Sequence, residues 1–405
     1  LLISLPIVFL IGCVYFFTLT RITYTSEKTT LKDNLIDTKD MMVSKFNKIF
    51  PFDVYLATID VLQKREEVKA SHEKLKDFSF GLQPEETYVL VIGETARWKN
   101  FGINGYHRNT TTNLSKVQNL VSYSHFVTQA NLTSNSIPLI LTRADASNKE
   151  IANNEKSISE AFSEAGFYTS WISDQIITPF QERIIETCKH SAMLSKDITL
   201  SNILDEDLLV SLDTLLDQKS PKKFIIIHTL GSHFRYFLRY PMTFQIYQPE
   251  FDNSMDFLSI TAENKNLLVN SYDNSIAYTD YFLSSVIKTL DKKCNVWSMI
   301  YLSDHGENIF DDERNIVLHG SLVVTDYEVH IPFFVSYSDA YQEKYPNKVQ
   351  NILNNKDKNT SSDVVFHSLL DMADIPSNNV FADSLSICSG QLRNIKNTYI
   401  LNGNK

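Results

Sequence analysis

Short apolar runs, rich in branched aliphatic and aromatic residues, alternate with helix-like stretches along most of this chain. The runs lie at 88–92, 168–172, 224–229, 296–302 and 332–337. Continuous apolar runs of this length are typical of strands buried on both faces of a parallel sheet. The helix-like stretches lie at 157–164, 205–216 and 265–290. This alternation predicts an α/β fold in which helices cover both faces of a parallel or mostly parallel sheet.

The amino-terminal part of the chain has a different pattern. Residues 1–20 carry no charged side chain and Arg21 follows them, which fits a membrane-spanning helix. We interpret this stretch as the last span of a longer membrane segment, with a buried core helix as the alternative. Residues 21–85 are polar with apolar patches near helical spacing, which favours helices along a membrane face or a linker packed on the globule. We therefore expect a transmembrane helix at 1–20, a juxtamembrane linker at 21–85 and a globular domain at 86–405.

Acidic residues follow two of the predicted strands directly. Glu94 comes just after the run at 88–92, while Asp304 and His305 come just after the run at 296–302. Open α/β sheets carry their chemistry beyond the carboxyl ends of the strands, so these three side chains are expected to converge. Two carboxylates and an imidazole suit a divalent metal, zinc first and manganese next. The pattern predicts metal-assisted chemistry.

Two further histidines follow the same logic. His233 lies beyond the run at 224–229 after a turn at Gly231, and His319 precedes a glycine shortly after the Asp304 loop. Imidazoles there could bind an anion or transfer protons. His228, still inside the strand, is expected to be a buried histidine or a partner of a ligand.

A nucleophile is sought in the segment at 131–138, which carries Thr133, Ser134 and Ser136 ahead of an apolar stretch. From the residues alone, these hydroxyls fit a helix N-cap as well as a nucleophile. The chain contains no Gly-x-Ser-x-Gly elbow and no phosphate-binding P-loop.

Net charge and cysteine content limit the possible partners and cross-links of the chain. The formal net charge of -10 argues against nucleic acid as a partner, because such binding depends on basic surface. The four cysteines form no Cys-x-x-Cys pair, so no disulfide framework is required. Glu307 and the acidic run at 311–313 are expected to be solvated loop charges.

The ordered motifs of residues 86–375 closely resemble the phosphoethanolamine transferases of Gram-negative envelopes, which include lipid A modifying enzymes and the mobilised colistin resistance enzymes. The matching segments are Gly-Glu-Thr-Ala-Arg at 93–97, Asn-Gly-Tyr-His-Arg at 104–108, Thr133 with Ser136 and Pro138, His-Thr-Leu-Gly-Ser-His at 228–233, Arg-Tyr-Pro at 239–241, Tyr-Asp-Asn-Ser at 272–275, Tyr-Thr-Asp-Tyr at 278–281, Ser-Asp-His-Gly-Glu at 303–307 and Leu-His-Gly at 318–320.

The resemblance implies a domain of the alkaline phosphatase and sulfatase type, tethered to the inner membrane and facing the periplasm. It implies that Glu94, Thr133, Asp304 and His305 hold a catalytic zinc, with Thr133 as the nucleophile. His233 and His319 resemble the family's phosphate-handling histidines. The expected reaction of this monomeric, membrane-anchored enzyme moves phosphoethanolamine from phosphatidylethanolamine to lipid A or the lipopolysaccharide core, through a covalent intermediate on threonine.

The chain also departs from that family. Cysteines that flank the nucleophile turn in the lipid A enzymes are absent, and the asparagine and lysine expected after the strand at 168–172 are replaced within Ser-Asp-Gln-Ile-Ile at 173–177. Two alternatives of the same fold stay open, a phosphoglycerol transferase and a sulfatase or phosphodiesterase. Ser136 begins a sulfatase-like signature, but Ile140 stands where its arginine is required. A non-catalytic, membrane-anchored binding protein is the alternative from another class.

Overall fold

The computed structural model describes residues 85–194, 203–255, 259–375 and 380–395. The predicted transmembrane segment at 1–20 and nearly all of the predicted linker lie outside these ranges. The strands, numbered in chain order, are β1 Glu86–Gly93, β2 Leu120–Ser122, β3 Phe126–Val127, β4 Tyr168–Ser173, β5 His190–Met193, β6 Lys222–His228, β7 Val296–Ser303, β8 Asn308–Ile309, β9 Val317–Leu318, β10 Phe333–Tyr337 and β11 Thr360–Ser361.

Helices occupy most of the connections. They are α1 Thr133–Leu141, α2 Ile151–Asn154, α3 Ile158–Glu164, α4 Pro179–Thr187, α5 Leu208–Leu216, α6 Lys265–Lys293, α7 Asp326–Val329, α8 Asp339–Lys344, α9 Pro346–Asn355 and α10 Val364–Met372. Several short 3-10 turns connect these elements.

The main sheet has seven strands in the order β2-β10-β7-β1-β6-β4-β5. Its central strand β1 pairs in parallel with β6 and with β7. One strand of this sheet, β10, runs opposite to the other six, since it is antiparallel to both β7 and β2. The prediction of a mostly parallel sheet is confirmed. Two small sheets, β11-β3 and β8-β9, lie outside it.

All five predicted strands and all three predicted helices are present, with boundaries shifted by a few residues. The apolar stretch after Thr133 lies in the helix α1. Sequence patterning missed both edge strands. β2 has three residues, and β5 begins with two exposed residues, so neither shows the apolar run that identifies a buried strand.

The core is divided by the sheet into two apolar layers. Leu90 and Ile92 face one layer, where residues of α1, α3 and α10 pack. Val89 and Val91 face the other, which is formed mainly with α5 and α6. Alternate residues of one strand point to opposite faces, so a central strand can be apolar throughout only when both faces are covered. The predicted sandwich of helices around the sheet is confirmed.

Within the described residues, no helix combines the length and the apolar character needed to cross a bilayer. The three cysteines of these ranges, Cys188, Cys294 and Cys388, are free thiols. The structure of this part of the chain therefore depends on packing rather than on disulfide cross-links.

Leu90→Ala should destabilise the domain by about 2–5 kcal/mol, because it opens a cavity in the central strand. Leu90 is fully buried. Leu353→Ala, at an exposed position of α9, is the matched control and should change the free energy of unfolding by no more than about 0.5 kcal/mol. Urea denaturation of the two variants measures the difference. Equal effects would contradict the assignment of Leu90 to the core.

Candidate metal and nucleophile site

The register of β1 against β7 brings the two acidic strand ends together. Gly93 is paired with Ser303, so the next residues, Glu94 and Asp304, stand side by side. The backbone N–H of Asp304 donates to the carbonyl oxygen of Gly93 at 3.0 Å. The ligand atoms of Glu94, Asp304 and His305 all lie within 4.8 Å of one another, and all three residues are buried. The predicted convergence is present.

Asp304 is held by one oxygen and leaves the other free. Its Oδ1 accepts from the backbone N–H of Thr95 at 3.2 Å and from that of His305 at 2.7 Å. Its Oδ2 is buried and has no hydrogen-bond partner among the described residues. A buried oxygen without a donor is costly unless something else satisfies it. Together with Glu94 and His305 it forms a donor set that fits a divalent metal ion.

The ring of His305 is oriented for the same role. Its Nδ1 lies 2.9 Å from the carbonyl oxygen of Gly306, to which an Nδ1–H donates. The opposite nitrogen, Nε2, then points to the carboxylates, 3.2 Å from Glu94 Oε1 and 3.4 Å from Asp304 Oδ2. A backbone carbonyl on the far nitrogen is the usual way in which proteins orient a metal-ligating histidine.

The pKa values of these three residues also show that the group attracts positive charge. Burial alone would raise the pKa of Glu94, but His305 outweighs burial and holds that pKa well below its usual range. Burial and the neighbouring Glu94 raise the pKa of Asp304 to about 7. Burial opposes the charged imidazole, yet Asp304 and Glu94 raise the pKa of His305 to about 10. The protein alone therefore keeps a proton where a metal ion would bind.

The hydroxyl of Thr133 contacts two of the three side chains in this group. It begins α1, and its Oγ1 is 3.0 Å from Glu94 Oε2 and 3.2 Å from His305 Nε2. Ser136 is buried and donates to the carbonyl of Ala130 at 3.1 Å. Geometry therefore favours Thr133 over Ser136 as the nucleophile.

His233 and His319 both reach the site. The ring centroid of His319 is 4.2 Å from that of His305 and 6.3 Å from that of His233. His319 Nδ1 lies 3.1 Å from Glu307 Oε1, and Tyr236 donates to the other oxygen of Glu307 at 3.1 Å. Glu307 is fully buried, so the expectation of a solvated loop charge is wrong. Its carboxylate orients His319.

His228 is the buried histidine that the strand position predicts. Its Nδ1 lies 3.0 Å from the amide nitrogen of Gln181, and burial lowers its pKa to about 4. An imidazole that is neutral at physiological pH packs inside the sheet without a counter-charge.

Gln175 is a site residue that the sequence did not single out. Its amide nitrogen donates to Glu94 Oε2 at 2.9 Å and to the carbonyl of Thr229 at 3.1 Å. Gln175 lies just beyond the carboxyl end of β4, and this position is the sequence signal that could have identified it as a site residue. Gly231, in the loop after β6, packs closely on the backbone of Glu94, because a Cβ there would lie 2.9 Å from the backbone nitrogen of Glu94.

The prediction that the acidic run at 311–313 is solvated is wrong for one residue, Asp311. Asp311 accepts two hydrogen bonds from the buried guanidinium of Arg97, at 2.7 and 3.2 Å. Burial would lower the pKa of Arg97, but Asp311 more than offsets it and raises that pKa. Asp312 and Glu313 remain loop charges at the surface. Asp311 thus fixes the segment that follows Glu94.

Comparison with known proteins agrees with this geometry. The Sulfatase family model matches residues 86–375, which is most of the chain. The chain belongs to the sulfatase family. It is 29% identical over 265 residues to phosphoethanolamine transferase EptA of Escherichia coli K12, covering 64% of this chain and 47% of that protein. It is 31% identical over 283 residues to the Kdo(2)-lipid A phosphoethanolamine 7''-transferase of the same strain, covering 65% and 46%.

A solved structure gives the same picture in three dimensions. The zinc complex of the C-terminal periplasmic domain of E. coli EptC superposes with a TM-score of 0.71 at 26% identity, covering 80% of this chain and 91% of that chain. The resemblance to phosphoethanolamine transferases is confirmed. This sulfatase-family chain spans about half the length of the curated relatives it matches.

A second carboxyl pair supports the turn beside the site. The backbone N–H groups of Leu230 and Gly231 donate to Asp174 Oδ1 at 2.7 Å and to Asp205 Oδ1 at 3.2 Å. Burial and Asp205 raise the pKa of Asp174 well above its usual range. Burial also raises the pKa of Asp205. The pair prefers to keep a proton in the folded protein.

Asp174→Asn should weaken the decline of stability with rising pH. Above the ordinary aspartate pKa and up to the raised values, the folded protein binds more protons than the unfolded chain, so the free energy of unfolding falls as pH increases. The amide keeps an oxygen for the N–H of Leu230 and removes one titrating carboxyl. Urea denaturation near pH 5 and near pH 8, at constant metal, should show a smaller fall than in the wild type.

Asp213→Asn provides the control for this measurement. Asp213 is exposed and lies in α5 away from the carboxyl pair. Its variant should reproduce the wild-type fall in stability. If Asp174→Asn did the same, the raised pKa of the pair would be contradicted.

Proposed function

We propose that this protein is a zinc-dependent phosphoethanolamine transferase that forms a covalent intermediate on Thr133. One observation carries the proposal: the Thr133 hydroxyl contacts both Glu94 and His305 within a buried group that fits a metal ion. The names of the relatives supply the transferred group. The zinc complex of the E. coli EptC domain supports zinc as the metal.

Glu94, Asp304, His305 and the oxygen of Thr133 would hold the zinc ion. When bound, zinc supplies Lewis acidity, which lowers the pKa of a hydroxyl and neutralises charge on phosphate oxygens. The chain contributes the arrangement. Gln175 and Thr95 donate to the two oxygens of Glu94 at 2.9 and 2.6 Å, which fixes that carboxylate against rotation.

In the first step, Thr133 Oγ1 attacks the phosphorus of phosphatidylethanolamine. The bond between phosphorus and the diacylglycerol oxygen breaks, and the proton given up by the Thr133 hydroxyl ends on that oxygen, so that diacylglycerol leaves as an alcohol. Thr133 is the first residue of α1. The first amides of a helix lack partners within the helix, so they favour a phosphate placed there.

In the second step, an oxygen of lipid A or of the lipopolysaccharide core attacks the same phosphorus, and Thr133 is released. His233 and His319 line this side of the site and are suited to protonate the leaving oxygen and to accept the proton of the acceptor. Glu307 and Tyr236 hold His319 in position for that exchange.

The same proposal includes the location of the enzyme. Residues 1–20 would anchor the chain in the bacterial inner membrane, residues 21–85 would link the anchor to the globular part, and residues 86–405 would act as a monomer in the periplasm. Donor and acceptor are then both membrane lipids. The E. coli lipid A transferase among the relatives supports lipid A as the acceptor.

The sulfatase-type alternative receives less support from the geometry. Its nucleophile would be Ser136, which is buried and turned to the carbonyl of Ala130. Phosphoglycerol transfer and a non-catalytic role are outcomes that the following experiments separate.

Asp304→Asn should lose tightly bound zinc, because an amide replaces one of the two carboxylates of the donor set. Elemental analysis of protein purified without chelator measures the metal content. Asp213→Asn changes an exposed aspartate in the same way and should retain zinc. Wild-type protein without zinc, or equal zinc in both variants, would count against the site.

Thr133→Ala should abolish transfer while the protein stays folded, because Thr133 lies at a helix start rather than inside the core. Peptide mass spectrometry after incubation of the full chain with phosphatidylethanolamine should find phosphoethanolamine on Thr133 in the wild type. A phosphoglycerol adduct would indicate the related transferase instead.

Ser136→Ala is the matched variant and should keep transfer activity within about tenfold, since it removes only a packing hydroxyl. An adduct on Ser134 or Ser136 would overturn the assignment to Thr133. No adduct and no diacylglycerol release in zinc-loaded wild type would overturn the function itself.

A further inference from the structure

Exposed aliphatic side chains gather around the opening of the site. Ten large hydrophobic residues are exposed among those the structure describes, and five of them lie in loops that carry or adjoin site residues. We name these five the apolar rim; they are Leu132, Ile176, Ile177, Leu322 and Val323. Leu322 is 88% exposed and Val323 is 61% exposed, so neither packs against the described part of the chain.

One half of the rim is joined by direct contacts. Leu132 precedes the nucleophile Thr133, and a Cβ at Gly320 would lie 2.9 Å from Leu132 Cδ2. The side chain of Asn131 donates to the carbonyl of Ser321 at 3.0 Å. The loop with Leu322 and Val323 is therefore fixed beside the start of α1.

The other half adjoins the same carboxylate. Ile176 and Ile177 follow Gln175, which donates to Glu94 Oε2 at 2.9 Å. Thr133 contacts that same oxygen at 3.0 Å. Both halves of the rim thus meet at the metal group.

The rim segments are also free of charge. Residues 131–135, 175–177 and 320–324 contain no acidic or basic side chain, although the whole chain carries a formal net charge of -10. Contiguous exposed aliphatic residues without charge mark a surface that meets an apolar partner. Because the chain is acidic, attraction to anionic lipids through basic residues does not explain this surface.

We propose that the apolar rim inserts into the surface of a phospholipid bilayer and brings Thr133 to the level of the lipid headgroups. The occupant is a bilayer because the rim adjoins a site whose donor, under the proposed function, keeps its acyl chains in the membrane. The uncharged stretch at 1–20 supports the same partner. Aliphatic side chains at an interface bind by burying apolar area among the acyl chains.

Brominated lipids test this contact without turnover. Leu322→Trp, in the full chain reconstituted into phosphatidylcholine and phosphatidylethanolamine vesicles, should gain tryptophan fluorescence that lipid bromine quenches by at least twofold. The native Trp171 and Trp297 are buried and Trp98 is half-buried, so their signal is subtracted using the wild type.

Met242→Trp is the matched control. Met242 is 82% exposed and belongs to none of the rim segments; it lies in a turn whose Phe244 packs on Tyr278 of α6 at a ring distance of 4.9 Å. Its tryptophan should show no added quenching. Equal quenching at both positions, or none at 322, would overturn the proposal. If the tryptophan at position 322 already emitted at shorter wavelength without lipid, the rim would be covered by another part of the chain or by a second copy, and the proposal would be overturned.

A paired activity measurement separates the rim from the function. The double variant Leu322→Ser with Val323→Ser should lower transfer from vesicle lipid at least fivefold and leave transfer from a short-chain, monomeric donor unchanged. Met242→Ser should alter neither. If the wild type showed no transfer but bromine still quenched the tryptophan at position 322, the proposed transferase function would be refuted and the bilayer contact would stand. Normal transfer from vesicles by the double variant would refute the rim alone.

Discussion

The rest of the structure depends on one constraint, which is that two carboxylates are buried side by side. Glu94 and Asp304 are almost completely buried, and the strand register allows no separation between them. Like charges in a medium of low polarity repel strongly, so the fold must provide positive charge or donors. Backbone N–H groups, a threonine hydroxyl, a glutamine amide and His305 do so here, and a metal ion would complete the compensation.

The long helix α6 supplies much of the rigidity that this arrangement needs. The hydroxyl of Tyr272 donates to the carbonyl of Thr95 at 2.7 Å and accepts from the N–H of Arg97 at 2.9 Å. About two turns further along the helix, the carboxylate of Asp280 accepts from the backbone N–H groups of Asn113 and Leu114, at 2.9 and 2.8 Å. These polar residues of the helix fasten the loop after β1. Their hydrogen bonds therefore give these motif residues a role in supporting the site.

Sequence patterning predicted the elements that are defined by apolar burial. It missed the roles of polar side chains that are defined by contacts with residues distant in the sequence. The apolar runs located the strands, and the rule that sites follow strand ends located Glu94, Asp304 and His305. The same rule could not show that Glu307 turns inward to His319, because a charged residue in a loop is solvated unless a distant partner receives it. Thr133 needed the family resemblance, since helix capping and nucleophilic attack use the same residue types and only tertiary contact separates them.

Gly231 connects the loop that carries His233 to Glu94 in a way that limits which changes the protein can accept. Its backbone, at a φ of 48°, touches that of Glu94, and the N–H of Ser232 donates to the carbonyl of Glu94 at 3.0 Å. Because there is no space between these two backbone segments, a shift of the loop that carries His233 must displace Glu94 as well. The outer loops can therefore diverge in sequence, whereas the spacing between His233 and the buried carboxylates is kept as one unit.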